Sequence, residues 1–197
     1  MRRFDPRNIH KLTSADRAAW LNPDRVLSML NLHKGLTALD FGAGPGYFTL
    51  PIAERVAPTG RVFAVDVEPE MHYALRQRAA EMGISNIASL ICDDRTMPFA
   101  AETIDRVLLS LVLHEVDDRS RLLAEVQRVL RPGGHLTLVE WQPRETEHGP
   151  DLSQRLEPAQ IAIELKTAKL RVDGHSPLSY ECYIMTATKL NSYPVGY

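Results

Sequence analysis

Short apolar runs alternate with amphipathic segments along most of this chain, in the rhythm strand, helix, strand. Thr37 to Phe41 predicts a first strand, and Phe48 to Val56 a helix whose first turn must hold Pro51. Pro58-Thr59-Gly60 turns the chain into a second strand, Arg61 to Asp66. A helix opening at Pro69 has Met71, Ala74, Leu75, Ala79 and Met82 on one face and stops at Gly83. Ile87 to Cys92 predicts a short third strand. Ile104 to Leu113 is almost continuously apolar, as a central parallel strand covered on both faces must be. Leu122, Leu123, Val126, Val129 and Leu130 give a helix stopped by Pro132-Gly133-Gly134, followed by a fifth strand, His135 to Trp141. Residues 142–156 are polar and predict a long loop. Ala159 to Leu165 suggests one more helix. Leu170 to Val172 and Tyr180 to Ala187 predict a strand pair joined by a loop from Asp173 to Ser179.

Upstream the pattern is thinner. Residues 1–22 offer Phe4, Ile9, Leu12, Trp20 and Leu21 as apolar anchors, with Ser14 placed to cap a helix. They predict a helical lid segment, 1–22, lying over a main domain, 23–190. Asn22-Pro23-Asp24 restarts the chain, and Val26, Leu27, Leu30 and Leu32 have helical spacing up to Gly35. The whole predicts an α/β fold: a Rossmann-like three-layer sandwich around a mostly parallel seven-stranded sheet with an antiparallel C-terminal strand.

The 197 residues suit one domain with a full core. A net charge of −2 argues against a broad nucleic-acid surface. Two well-separated cysteines, Cys92 and Cys182, give neither a disulfide framework nor metal-ligand spacing, so no metal is expected and a reduced, cytoplasmic setting is. Arg2 and Arg3 lead into Asp5, Pro6 and Arg7 instead of an apolar run, which argues against a signal peptide. No stretch approaches the roughly 20 apolar residues of a membrane span.

The chemistry concentrates at Asp40-Phe41-Gly42-Ala43-Gly44-Pro45-Gly46, directly after the first strand. Glycines at alternate positions let the backbone take positive φ and press against a ligand. Asp66 ends the second strand, where a carboxylate can accept from both hydroxyls of a ribose. The same residues also suit a tight structural turn and a helix N-cap.

These residues resemble the D-x-G-x-G-x-G signature of class I S-adenosylmethionine-dependent methyltransferases. Val65 to Met71, Cys92 to Phe99 and Val129 to Gly134 resemble three further segments of that family, in order, across roughly residues 36–141. The similarity is nearest to the small-molecule branch that includes ubiquinone/menaquinone C-methyltransferases. Cys92 and Asp94 depart from its usual Gly and Ala, and the cysteine set of arsenite methyltransferases is missing. The resemblance implies S-adenosylmethionine as cofactor. It implies Asp66 on the ribose, Asp93 and the backbone near Asp94 on the adenine, and Val67 against the adenine face. Gly42, Ala43 and Gly44 would admit the methionine part, Asp40 would hold its ammonium, and Ser110 and Leu111 would border its chain.

For the acceptor the sequence offers less. His114 follows the fourth strand and titrates near neutrality, so it is the candidate base, and equally a packing residue. Glu140 and Trp141 fall near the expected acceptor pocket, with Trp141 read first as core; His148 reads as surface. The expected reaction is methyl transfer to a small, apolar or aromatic molecule, with a homodimer left open. The alternatives are a non-catalytic S-adenosylmethionine binder and an NAD-dependent oxidoreductase, whose usual G-x-G-x-x-G spacing is not met.

Overall fold

Seven strands form one sheet in the order β3-β2-β1-β4-β5-β7-β6. The computed structural model describes residue 9, residues 12–92 and residues 96–191. The strands are β1 Thr37–Phe41, β2 Arg61–Asp66, β3 Ile87–Ile91, β4 Ile104–Ser110, β5 Leu130–Trp141, β6 Leu170–Pro177 and β7 Cys182–Lys189. β1 to β5 pair in parallel. β7 runs antiparallel to both β5 and β6, so it alone reverses.

The helices are α1 Ala15–Trp20, α2 Pro23–Met29, α3 Thr49–Val56, α4 Pro69–Glu81, α5 Arg119–Val129 and α6 Pro158–Thr167. Ser14 caps α1 by accepting from the Arg17 N–H, and Asn22 caps α2 through the N–H groups of Asp24 and Arg25. Pro51 falls in the first turn of α3, where no N–H is missed. Alternation along the strands sorts the core into layers. Leu39, Phe41, Val107 and Leu109 pack with Leu122, Val126 and Ile161 from α5 and α6. Ala38 and Leu108 pack with Leu27, Ile52 and Val56 from α2 and α3. Leu21, the residue after α1, is fully buried in this second layer. Among the described residues no helix is long and apolar enough to cross a membrane.

Several boundaries differ from the sequence reading, among them β7, which runs from Cys182 to Lys189 and not from Tyr180 to Ala187. β5 begins at Leu130, so Pro132-Gly133-Gly134 lies within it, where the pairing with β4 slips between Ile104 and Arg106. A bulge accommodates the proline and glycines that elsewhere would end a strand. β6 runs on to Pro177, with a register shift at Val172/Gly174, and the connecting loop is shorter than expected. It is an edge strand, and edges tolerate Asp, Gly, Ser and Pro. β4 stops at Ser110, because Leu111 turns to φ +59°.

Candidate active site

β1 leads to β2 on one side of the sheet, and its other neighbour is β4. A crevice opens at the carboxyl ends of strands where the order reverses in this way. A cavity of about 670 Å³ occupies that place. Its size falls within the roughly 300–1,000 Å³ of small-molecule sites.

The glycine turn forms one wall. Gly42, Gly44 and Gly46 have φ of +74°, +53° and +88°. A Cβ on Gly42 would stand 2.2 Å from Val112 Cγ2, and one on Gly46 2.4 Å from Leu75 Cδ1, so both are also required by packing. Gly44 differs. Its nearest neighbour would be Leu12 Cδ1 at 3.6 Å, so its bare Cα leaves room on the cavity side. The Gly44 N–H donates to Asp66 Oδ2 at 2.8 Å, and the Glu68 N–H to Oδ1 at 3.0 Å. Each carboxylate oxygen is thereby aimed by one backbone donor and keeps a lone pair for another.

Asp40 lies at the floor, only 2% exposed, with the Thr49 hydroxyl donating to its Oδ2 at 2.6 Å. Burial pushes its carboxyl up to about 7; the Thr49 hydrogen bond opposes this and the charge of Asp66 adds to it. Such a group gains by meeting a cation. The Ser110 hydroxyl is buried and has no hydrogen-bond partner among the described residues. Ser110, Leu111 and Val67 all border the cavity. The structure thus brings together Asp40, Gly42, Ala43, Gly44, Asp66, Val67, Ser110 and Leu111. Asp93 and Asp94 lie outside the described residues.

His114 borders the same cavity, in a 3-10 turn of Leu113–Glu115. Its Nδ1 is 2.9 Å from Glu140 Oε2, and its backbone N–H donates to Glu140 Oε1 at 3.2 Å. Its Nε2 is 3.9 Å from Glu115 Oε1. Burial alone would lower the His114 pKa, but the Glu140 carboxylate, by charge and hydrogen bond, and then Glu115 raise it overall, against Arg155. Glu140 was expected only to neighbour the acceptor pocket; it is the carboxylate that orients this imidazole. Its signal was an acid in the otherwise apolar end of β5.

The remaining wall comes from the segments expected to supply an acceptor pocket, residues 1–22 and 142–156 beside Trp141, although Arg17, Tyr47 and His148 were not singled out as its lining. Arg17, Trp20 and Tyr47 border the cavity, as do Trp141 and His148. Trp20 meets Trp141 with ring centroids 5.1 Å apart and stacks on His148 at 5.1 Å. His148 is therefore a lining residue and not the plain surface residue the sequence suggested. Trp141 is buried core and lining at once. Glu147, His148 and Glu181 hold ligand-type atoms within 4.8 Å of one another. Glu181 already accepts from the His148 backbone N–H at 3.2 Å, so this cluster serves to hold the loop.

The donor set fits S-adenosylmethionine. Asp66 offers acceptors to a diol, Asp40 an anion to an ammonium, and Gly44 and Ser110 the space and unpaired hydroxyl beside a chain.

Comparison with known proteins agrees. A family model described as methyltransferase domain matches residues 39–138. The ubiquinone/menaquinone biosynthesis C-methyltransferase UbiE of Bordetella avium is 32% identical over 116 residues, 59% of this chain and 45% of that protein. The chain thus spans less than half the length of this relative. The crystal structure of a SAM-dependent methyltransferase from Aquifex aeolicus superposes with a TM-score of 0.90 at 26% identity, covering 95% of this chain and all of that one. Geranyl diphosphate methyltransferase in complex with SAM shares the fold, with a TM-score of 0.73 at 19% identity over 85% of this chain and 84% of that one.

Proposed function

This chain belongs to the methyltransferase domain family, and on that premise we propose that it transfers a methyl group from S-adenosylmethionine to a small, apolar or aromatic acceptor. The observation that carries the reading is the carboxylate of Asp66, aimed by two backbone N–H groups into a cavity floored by Asp40. Family membership removes the nicotinamide alternative. The UbiE relative supports a small-molecule acceptor.

When bound, S-adenosylmethionine supplies a methyl group on a sulfonium, already an activated leaving group. The protein has to orient the acceptor and keep water out. Orientation of this kind can supply on the order of 7–11 kcal/mol of a barrier. Trp20, Trp141 and the loop around Gly149 and Pro150 form the apolar wall for that task, with α1 as the lid. With the Nδ1 proton of His114 donated to Glu140, the lone pair on Nε2 is left to take a proton from the acceptor. Glu140 is then a positioning residue and His114 the base.

Isothermal titration with S-adenosylmethionine is expected to saturate. No heat at about 1 mM ligand, a binding free energy weaker than about −4 kcal/mol, would reject the reading. Release of S-adenosylhomocysteine on adding fractions of a metabolite extract separates an enzyme from a non-catalytic binder.

The floor predicts a pH dependence. Asp40, with its carboxyl near 7, must ionise to meet the ligand's ammonium. Binding therefore releases a proton in acid, and affinity falls as the pH drops through about 7, by about tenfold per unit well below it. Above about 8 the ligand's own amino group loses its proton and affinity falls again. A bell-shaped affinity profile is expected by titration, with the acid limb flattened in Asp40→Asn. An unchanged acid limb in that variant would remove Asp40 from the ammonium.

A further inference from the structure

We propose that the methyl acceptor carries a carboxylate and that Arg17 is the residue that receives it. This rests on the methyltransferase reading and adds a charge to its otherwise apolar acceptor.

Arg17 lies at the middle of α1 and borders the cavity. Its guanidinium stands 5.0 Å from the centre of the Tyr47 ring and 5.5 Å from that of Trp20. Among the described residues it has no carboxylate partner, and its Nε is buried with no acceptor. A guanidinium carries five donors and no acceptor, so burial without an anion is costly. Burial pushes it down to about 10, against the pull of Tyr47 and Cys182, yet it stays charged at neutral pH. Rings that stack on its faces leave its edge, where the donors are, for a ligand.

The neighbouring Trp20 Nε1 is a second buried donor with no partner among the described residues. Two orphaned donors on one six-residue helix, bordering one cavity, call for a group that only accepts. A carboxylate does so, and a planar guanidinium grips it through two parallel bonds. The rest of this wall is aromatic: Trp20 against Trp141 and His148. A flat ring bearing a carboxylate matches both halves of it.

The one competing carboxylate is that of S-adenosylmethionine itself. Arg17 lies against Trp20, and Trp20 in turn meets Trp141 and His148 on the aromatic side of the cavity, whereas the Asp40 floor for the ammonium is held by Thr49 beneath the glycine turn. These observations favour the acceptor.

The chain has two tryptophans, Trp20 and Trp141, and both border the cavity, so intrinsic fluorescence reports its occupancy. The full chain, first titrated with S-adenosylhomocysteine and then held saturated with it, is titrated with phenylacetate and with its uncharged isostere phenylacetamide. Phenylacetate is expected to bind about tenfold more tightly or better, as a charge-assisted hydrogen bond allows, and Arg17→Met should abolish that preference. Equal affinity for acid and amide in the wild type, a comparison that needs no variant, overturns the proposal. So does a loss of about tenfold or more in S-adenosylhomocysteine affinity in Arg17→Met with 5′-methylthioadenosine unaffected, since Arg17 would then hold the amino-acid carboxylate of the donor. Failure of the wild type to bind S-adenosylhomocysteine at all would instead sink the methyltransferase reading.

Discussion

Replacing Asp66 with alanine is expected to weaken S-adenosylmethionine binding by roughly 100-fold or more. A hydrogen bond to a charged group contributes about 1.5–3 kcal/mol, and a ribose diol offers two, for about 3–6 kcal/mol together. The backbone adds to the loss. Gly44 and Glu68 each donate an N–H to this carboxylate, so its removal also releases the turn that shapes the cavity wall. Asp66→Asn separates the two contributions. Asparagine keeps one acceptor oxygen for the turn but loses the charge, so it should fall between wild type and alanine. Calorimetric titration of the three proteins checks the order. A dissociation constant unchanged in Asp66→Ala would take the ribose away from this residue.

Glu140→Ala is expected to cost about 3–5 kcal/mol of folding free energy. The Glu140 side chain is fully buried. It accepts from His114 Nδ1 and from the backbone N–H groups of His114 and Trp141. Alanine orphans all of these donors at once and leaves a void at the end of a central strand. Since total stabilities run at about 5–15 kcal/mol, much of the folded population is at stake. Glu140→Gln retains volume and an acceptor and should lose far less. It removes the charge that holds the His114 proton, however, so the histidine should titrate lower in an NMR titration. The wild-type pair also sets a sign for pH. His114 binds its proton more tightly in the fold than in the unfolded chain, where histidine titrates near about 6.5. Its contribution to stability is complete below about 6.5 and is lost as the pH rises through the raised folded value. Urea unfolding at several pH values reads both effects. A loss below about 1 kcal/mol in Glu140→Ala would show that the pair does not close this end of the sheet.

The glycine-turn side of the cavity, to which the cofactor is assigned, was legible in the sequence because its geometry is local. Positive φ at Gly42, Gly44 and Gly46 leaves a compositional mark directly after a strand. Asp66 ends the very next strand, in register beside β1. The half proposed for the acceptor is lined by Arg17, Trp20, His114, Trp141 and His148, which only the tertiary fold brings together. No spacing rule joins a tryptophan on a six-residue helix to a histidine in a loop beyond β5. The boundary errors have a different origin. Asp173-Gly174-His175-Ser176-Pro177 has the composition of a turn, yet hydrogen bonding from one side by β7 suffices to make it an edge strand. Pro132-Gly133-Gly134 likewise marks a bulge and not the gap before a strand.

Tyr47 stands just beyond the glycine turn and donates its hydroxyl to the Leu21 carbonyl at 2.8 Å, where α1 ends. Leu21 itself is sunk in the core. The arm bearing Arg17 and Trp20 is thus moored at its downstream end by a hydrogen bond and a buried leucine that involve neither side chain directly, although the Tyr47 ring also lies against the Arg17 guanidinium. Where Arg17 and Trp20 meet the acceptor as proposed, changes confined to one short helix would alter the choice of acceptor and leave the sheet beneath it untouched.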